Sequence, residues 1–234
     1  MTGDDVPAVR PIEVELKYRM TGSAAGNRLI GSDDLAGFAA TGPAVTVVHE
    51  DRYVDTADGA LAAAGYAGRL RASNGGGSVI TLKGLRRLDE GGVAHRREEI
   101  EGPADPSTGA DHWPQSAARD AVLDIAGGEP LIDLVRIRQQ RRKRDYVRDG
   151  HRVELSVDDV EVVVDGRVIE RFAELELELR KGDEVALQPL ADLLSEIEEL
   201  VPADTSKLER ALEAVGRVAA PADHDDPEEP EEPE

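Results

Sequence analysis

The segment Ile12-Glu-Val-Glu-Leu-Lys-Tyr18 alternates apolar and charged side chains with a strict period of two. In a strand, that period sends Glu13, Glu15 and Lys17 to one face and Ile12, Val14, Leu16 and Tyr18 to the other. One such strand describes any half-wet sheet. The constraint comes from its repetition with both signs of charge. Arg69 and Arg71 share a face in Gly68–Arg71, Thr81 and Lys83 in Ile80–Lys83, and Arg97, Glu99 and Glu101 in His95–Glu101. Phe172–Leu179 sets Glu174, Glu176 and Glu178 against Leu175, Leu177 and Leu179. Carboxylates spaced roughly 7 Å apart along one strand repel. They need water, cations or facing basic groups to fold together. A sheet closed on itself can place acidic and basic strands around one polar interior.

Length and composition narrow the partners. A chain of 234 residues suits one or two domains. Cysteine is absent, which excludes disulfides and thiolate metal sites. The net charge of −21 argues against a nucleic-acid partner. Eight acidic residues and no Lys or Arg lie in Pro221–Glu234, leaving about −13 for the rest. By contrast Arg136–Arg148 carries six arginines and a lysine against Asp145. An acidic protein with localised basic strands suits a small polyanion held with divalent cations. The plainer reading of the basic run is a solvated edge strand. With no signal peptide and no long apolar run, the expectation is a soluble cytoplasmic protein with no membrane partner.

Turn chemistry divides the chain into strands in mostly hairpin succession. Strands are expected at Ile12–Arg19, Val45–Val54, Ala67–Ala72, Ser78–Lys83, Val93–Glu101, Arg136–Val147, His151–Val157, Val160–Val164 and Val168–Leu179. Asn74-Gly-Gly-Gly77, Arg148-Asp-Gly150 and Asp165-Gly166 are the hairpin connections. Helices are expected at Asn27–Ala40, Gln115–Ile125, Val185–Leu200 and Ser206–Val215, with a helical turn at Leu61–Ala64. The fold class is therefore α+β, with an antiparallel barrel and flanking helices. Residues 1–10 read as a disordered leader, and the acidic, Pro-rich stretch 218–234 as a disordered tail or linker.

Glu13-x-Glu15-x-Lys17, Arg69-x-Arg71, Thr81-Leu-Lys83, Arg97-x-Glu99 and Glu174-x-Glu176-x-Glu178, in that order, resemble the CYTH family, the triphosphate tunnel metalloenzymes. Tyr53-Val-Asp55-Thr56 with Gly59-Ala-Leu61, and Ser206-Lys-Leu-Glu-Arg210, are similar to further signatures of that family. The resemblance spans 11–217 and implies a closed barrel of eight antiparallel strands with a charged interior. It implies hydrolysis of inorganic triphosphate or thiamine triphosphate, or cyclisation of ATP, with Mg²⁺ or Mn²⁺. Some members bind polyphosphate.

A triphosphate is densely anionic, so the expected phosphate contacts are Arg69, Arg71, Lys83, Arg97 and Arg141. The resemblance adds Lys207, carried on the last helix. Glu13, Glu15, Glu174, Glu176 and Glu178 supply the oxygen ligands that Mg²⁺ and Mn²⁺ prefer, and the resemblance makes them the main metal site. Asp158 resembles a further family acid and joins the expected metal set. Glu99 and Glu101 could serve a second metal or orient water, and Lys17 could hold a phosphate or tune Glu13 and Glu15. Metal-dependent hydrolysis of inorganic triphosphate is the leading expectation. A polyphosphate-binding module with little turnover, thiamine triphosphatase and class IV adenylate cyclase are the alternatives. The five histidines lack ligand-like spacing and carry no expected role.

Overall fold

In the computed structural model, which describes residues 12–73, 77–85 and 94–219, the alternating segments form one antiparallel sheet that closes on itself. Eight strands make the barrel: β1 (Ile12–Met20), β4 (Val45–Asp55), β5 (Tyr66–Ser73), β6 (Ser78–Gly84), β7 (His95–Pro103), β8 (Ile132–Arg148), β9 (His151–Val164) and β10 (Arg167–Lys181). Around the barrel they run β8-β4-β5-β6-β7-β1-β10-β9, and β9 pairs back onto β8. Closure removes the edge strands that would otherwise invite pairing with other chains. Three short strands extend the sheet: β2 (Asp34–Leu35) and β3 (Phe38–Ala40) beside β8, and β11 (Leu200–Pro202) beside β1.

Two of the long hairpins turn on Asp-Gly pairs. Asp149 and Gly150 have φ of 48° and 84°, and Asp165 and Gly166 have 49° and 75°. Both central residues are left-handed, the conformation whose twist matches that of paired strands. Gly supplies it without a Cβ penalty, and Asp tolerates it.

The period of two sorts the barrel into a charged inside and an apolar outside. Outward residues of β1, β9 and β10 such as Leu16, Leu155 and Leu177 are fully buried. They pack on α1 (Ala24–Gly31) and α4 (Gln188–Ser195) through Leu29, Leu190 and Leu194. Outward residues of β4 to β7, including Leu70, Ile80 and Leu82, pack on α2 (Ala60–Ala63) and α3 (Ala117–Ala126). Each such Leu contributes about 1.5–3 kcal/mol. A third cluster differs in kind. Val135, Ile137, Val160, Val162 and Phe172 pack against Leu208, Ala211 and Ala214 of α5 (Lys207–Ala219). Val160, Val162 and Phe172 share strand parity with the inward acids Asp158 and Glu174, so α5 packs on an apolar end of the interior. Arg210 stacks over Phe172, 4.0 Å from the ring centroid, and bonds Glu170, which also pairs with Arg217.

Three expectations are corrected. Asn27–Ala40 is not one helix: α1 ends at Gly31, and the chain then forms the β2–β3 hairpin across Ala36 and Gly37 (φ 50° and 85°). Distant residues fix that ending, because the Tyr146 hydroxyl donates to the carbonyls of Leu29 and Ser32, and Arg144 donates to that of Ser32. The segments His151–Val157 and Val160–Val164 are one continuous strand, β9, paired along its length to β10. Val185–Leu200 breaks into a 3₁₀ turn at Glu184–Leu187, then α4, then β11. At the far end α5 reaches Ala219, two residues into the expected tail. The leader, residues 74–76 of the glycine connection, Val93 and residues 220–234 lie outside the described residues.

Candidate active site

The inward faces of the barrel enclose a cavity of about 460 Å³. Thirteen of the fifteen expected site residues line it: Glu13, Glu15 and Lys17 from β1, Arg69 and Arg71 from β5, Lys83 from β6, and Arg97, Glu99 and Glu101 from β7. Arg141 of β8, Glu176 and Glu178 of β10, and Lys207 of α5 complete the set. The other two, Asp158 and Glu174, share the inward parity but lie beneath Arg141, Lys17 and Lys207, nearly fully buried. Register explains the assembly. Glu15 sits opposite Glu178, Lys17 opposite Glu176, Glu13 opposite Arg97, and Lys83 opposite Glu99.

Glu176 is the hub. Its carboxylate accepts from Arg141 Nη2 and from Lys207 Nζ, both at 2.6 Å, with Lys17 Nζ at 3.9 Å. Arg141 also grips Asp158 through two bonds, 2.7 and 2.5 Å. Lys207 reaches Asp158 at 3.0 Å and Glu174 at 3.2 Å, and Lys17 reaches Glu174 at 3.0 Å. Burial alone would raise the Glu176 carboxyl, but Lys207, Arg141 and Lys17 hold it well below the usual range. Lys207 is shifted well above its ordinary value, because Glu176, Asp158 and Glu174 outweigh its burial.

The opposite wall is less neutralised. Glu15 is 5% exposed, and burial raises its carboxyl, with Glu13 and Glu176 adding to the effect and Lys83 opposing it. Glu178 is pushed up to about 8 by burial, opposed by Arg180 and reinforced by Glu13, Glu15 and Glu99. Lys83 pairs with Glu13 and lies 3.8 Å from Glu99. Arg69 donates to Thr81 at 3.2 Å and lies 3.7 Å from Glu99, and Thr81 in turn donates to Glu101. The buried Nε atoms of Arg69 and Arg97 have no hydrogen-bond partner among the described residues.

Three contributors escaped the sequence reading. Asp51, on β4 directly opposite Arg71, is 1% exposed and accepts two bonds from that guanidinium at 2.7 Å each. Tyr53, two residues on, lines the cavity. Arg180 lines it as well, one step of two beyond Glu178, so extending the same parity would have found it. Nearby, His49 shares Asp51's parity and bonds Ser73 at 2.7 Å. Burial and Arg71 lower its imidazole to about 4. NMR titration is expected to show His49 neutral down to about pH 5. The unfolded histidine binds its proton near pH 6.5, so this group's share of stability is lost as pH falls from about 6.5 to 4. A midpoint near 6.5 in the folded protein would contradict the half-buried placement beside Arg71.

The donor chemistry fits a hard divalent cation. Every candidate ligand is a carboxylate oxygen, and Glu15 and Glu178 are crowded acids that a cation would relieve. Among the described residues no ready-made group of three metal-ligating side chains is present. The ion pairs give the reason: Glu176 is turned to Arg141 and Lys207, and Glu13 to Lys83.

An eight-stranded antiparallel barrel with acidic and basic rows facing one another inside defines the charged-tunnel class of barrels. The chain belongs to the CYTH family, since residues 11–212 match the CYTH domain. It is similar in structure to HpAC1 from Hippeastrum, named as an adenylyl cyclase and described as having a dominant triphosphatase activity. That match has 22% identity and a TM-score of 0.62, over 87% of this chain and 96% of that one. A Bacillus halodurans protein named as an adenylate cyclase matches at 17% identity and a TM-score of 0.50, over 85% and 97%. At these identities the likeness is one of fold. No curated protein matches the chain. Among the described residues no helix is long and apolar enough to cross a membrane.

Proposed function

We propose that the chain is a metal-dependent triphosphatase acting on inorganic triphosphate in this cavity. The observation that carries the reading is the pair of buried guanidinium Nε donors, on Arg69 and Arg97, without hydrogen-bond partners among the described residues, in a cavity lined by further bases. Unpaired buried donors are costly, and phosphate oxygens are the acceptors that guanidinium groups fit. Tyr53 is the sole aromatic residue lining the cavity among the described residues, which leaves little platform for a nucleobase or thiamine. That favours the inorganic substrate over the cyclase and thiamine triphosphatase readings.

Phosphoryl transfer to water needs positioning and charge stabilisation rather than covalent chemistry. Arg69, Arg71, Arg97, Arg141, Lys83 and Lys207 hold the phosphate oxygens, each giving up part of its carboxylate pairing where it has one. Glu13, Glu15, Glu176 and Glu178 would hold Mg²⁺ or Mn²⁺, which would supply neutralisation of charge on the transferring group. Asp158 and Glu174 fix Arg141, Lys207 and Lys17 from behind. Lys17 keeps Glu174 and Glu176 in place. Glu99 and Glu101 orient the attacking water. The bond from water oxygen to the terminal phosphorus forms as the bridging P–O bond breaks, releasing phosphate and diphosphate.

Phosphate release measured with triphosphate, thiamine triphosphate, ATP and long-chain polyphosphate, each with Mg²⁺ and with Mn²⁺, tests the reading. Turnover is expected to be greatest on inorganic triphosphate. Tight triphosphate binding without release under either metal would make the protein a polyphosphate-binding module instead.

A further inference from the structure

Arg180 is not among the acids and bases that the family motifs mark, yet it lines the cavity. It stands beside an irregularity in the sheet. The β9–β10 register runs Leu179 to Val153 and then Lys181 to Arg152, leaving Arg180 unpaired at a bulge. Bulges re-aim side chains and occur beside active sites.

Two carboxylates tether the guanidinium. Nη1 bonds Glu178 at 2.5 Å, and Nη2 bonds Glu154 of β9 at 2.8 Å. Glu154 is 7% exposed, and its other oxygen accepts from Lys143 of β8 at 3.0 Å. One buried acid therefore holds two cations, and both are well exposed, Arg180 at 40% and Lys143 at 38% of their side chains. The inner bases contrast with them: Arg71 and Arg141 are 13% exposed and Lys207 7%. Basic groups thus form an inner set and an outer pair, of which Arg180 lines the cavity and Lys143 joins it through Glu154. The two bonds of Arg180 occupy two of the five N–H donors that a guanidinium carries. The remainder can serve a ligand.

We propose that Arg180, held by Glu154 together with Lys143, is an outer phosphate contact that sets chain-length preference in binding, raising affinity, though not turnover, for linear polyphosphates longer than triphosphate. The inference rests on the polyanion reading of the cavity, but not on its hydrolytic part. A three-phosphate chain seats on the inner bases. A longer one projects past them toward the mouth and gains the outer contact.

Binding is measured by calorimetry without metal, using tripolyphosphate and a medium-chain polyphosphate as probes. Arg180→Ala is expected to weaken the medium chain about tenfold and tripolyphosphate about twofold, with Arg180→Lys recovering part of the loss. Arg71→Ala, deeper in the tunnel, is expected to weaken both chains alike. Thermal unfolding of each variant checks that the barrel persists. Equal losses for the two chains in Arg180→Ala, or none in either, would overturn the outer contact. So would a wild type that binds medium chain no better than tripolyphosphate. A wild type that binds both chains but releases no phosphate overturns the triphosphatase reading and leaves this one standing.

Discussion

Glu15→Gln is expected to cut triphosphate turnover by at least about 100-fold, while the thermal midpoint stays at or above that of the wild type near neutral pH. The two effects separate because Glu15 opposes folding. Burial raises its carboxyl above 4.5, helped by Glu13 and Glu176. A raised acid keeps its proton longer in the folded state, so its ionisation draws stability down as pH rises beyond about 4.5. Glutamine keeps the shape and removes that charge. It also removes an oxygen ligand that a divalent cation needs. Steady-state kinetics with Mg²⁺ and with Mn²⁺, beside scanning calorimetry, reads both. Turnover within tenfold of wild type would take Glu15 out of the site. A midpoint well below wild type would mean that its charge supports the barrel.

Glu176→Gln is expected to fail in both respects. Glu176 faces Arg141, Lys207 and Lys17, so neutralising it leaves buried cations with less compensation. Breaking one side of a buried ionic network costs about 3–5 kcal/mol, which at this chain length lowers the midpoint by roughly 6–20 °C. The sign with pH is opposite to that of Glu15. A depressed carboxyl contributes stability above its unfolded value of 4.5, and that contribution is lost as pH falls toward its folded value. The gap between wild type and variant is therefore widest near neutrality and closes in acid. A midpoint within about 2 °C of wild type at pH 7 would show the network to be neutral toward folding. The contrast with Glu15 matters for interpretation: lost activity in Glu176→Gln reports folding and chemistry together, and in Glu15→Gln chemistry alone.

What could be read from the chain follows from the period of the strand. Side chains on a pleated strand alternate whatever surrounds them. The Glu13-x-Glu15-x-Lys17 and Glu174-x-Glu176-x-Glu178 rows therefore had to share faces, and the Asp-Gly pairs had to turn. The same local rule misled at Asn27–Ala40, where the helix ends at Gly31 and the chain turns back through Ala36 and Gly37. Tyr146 and Arg144, more than 100 positions away, bind the freed carbonyls there.

The sequence alone determined which residues face the interior and in what order the strands carry them, because parity is a local property. Only the tertiary structure decided which acid meets which base. Lys207 comes from a helix that packs on the barrel's apolar end, Asp51 meets Arg71 through β4–β5 register, and Glu154 of β9 reaches across to Arg180 of β10. Register and closure are set by pairings between distant segments. They divide the acids, leaving Asp158 and Glu174 locked beneath bases while Glu15 and Glu178 stay crowded at the cavity wall. That division depends on burial and neighbouring charge, neither of which is a property of any one strand.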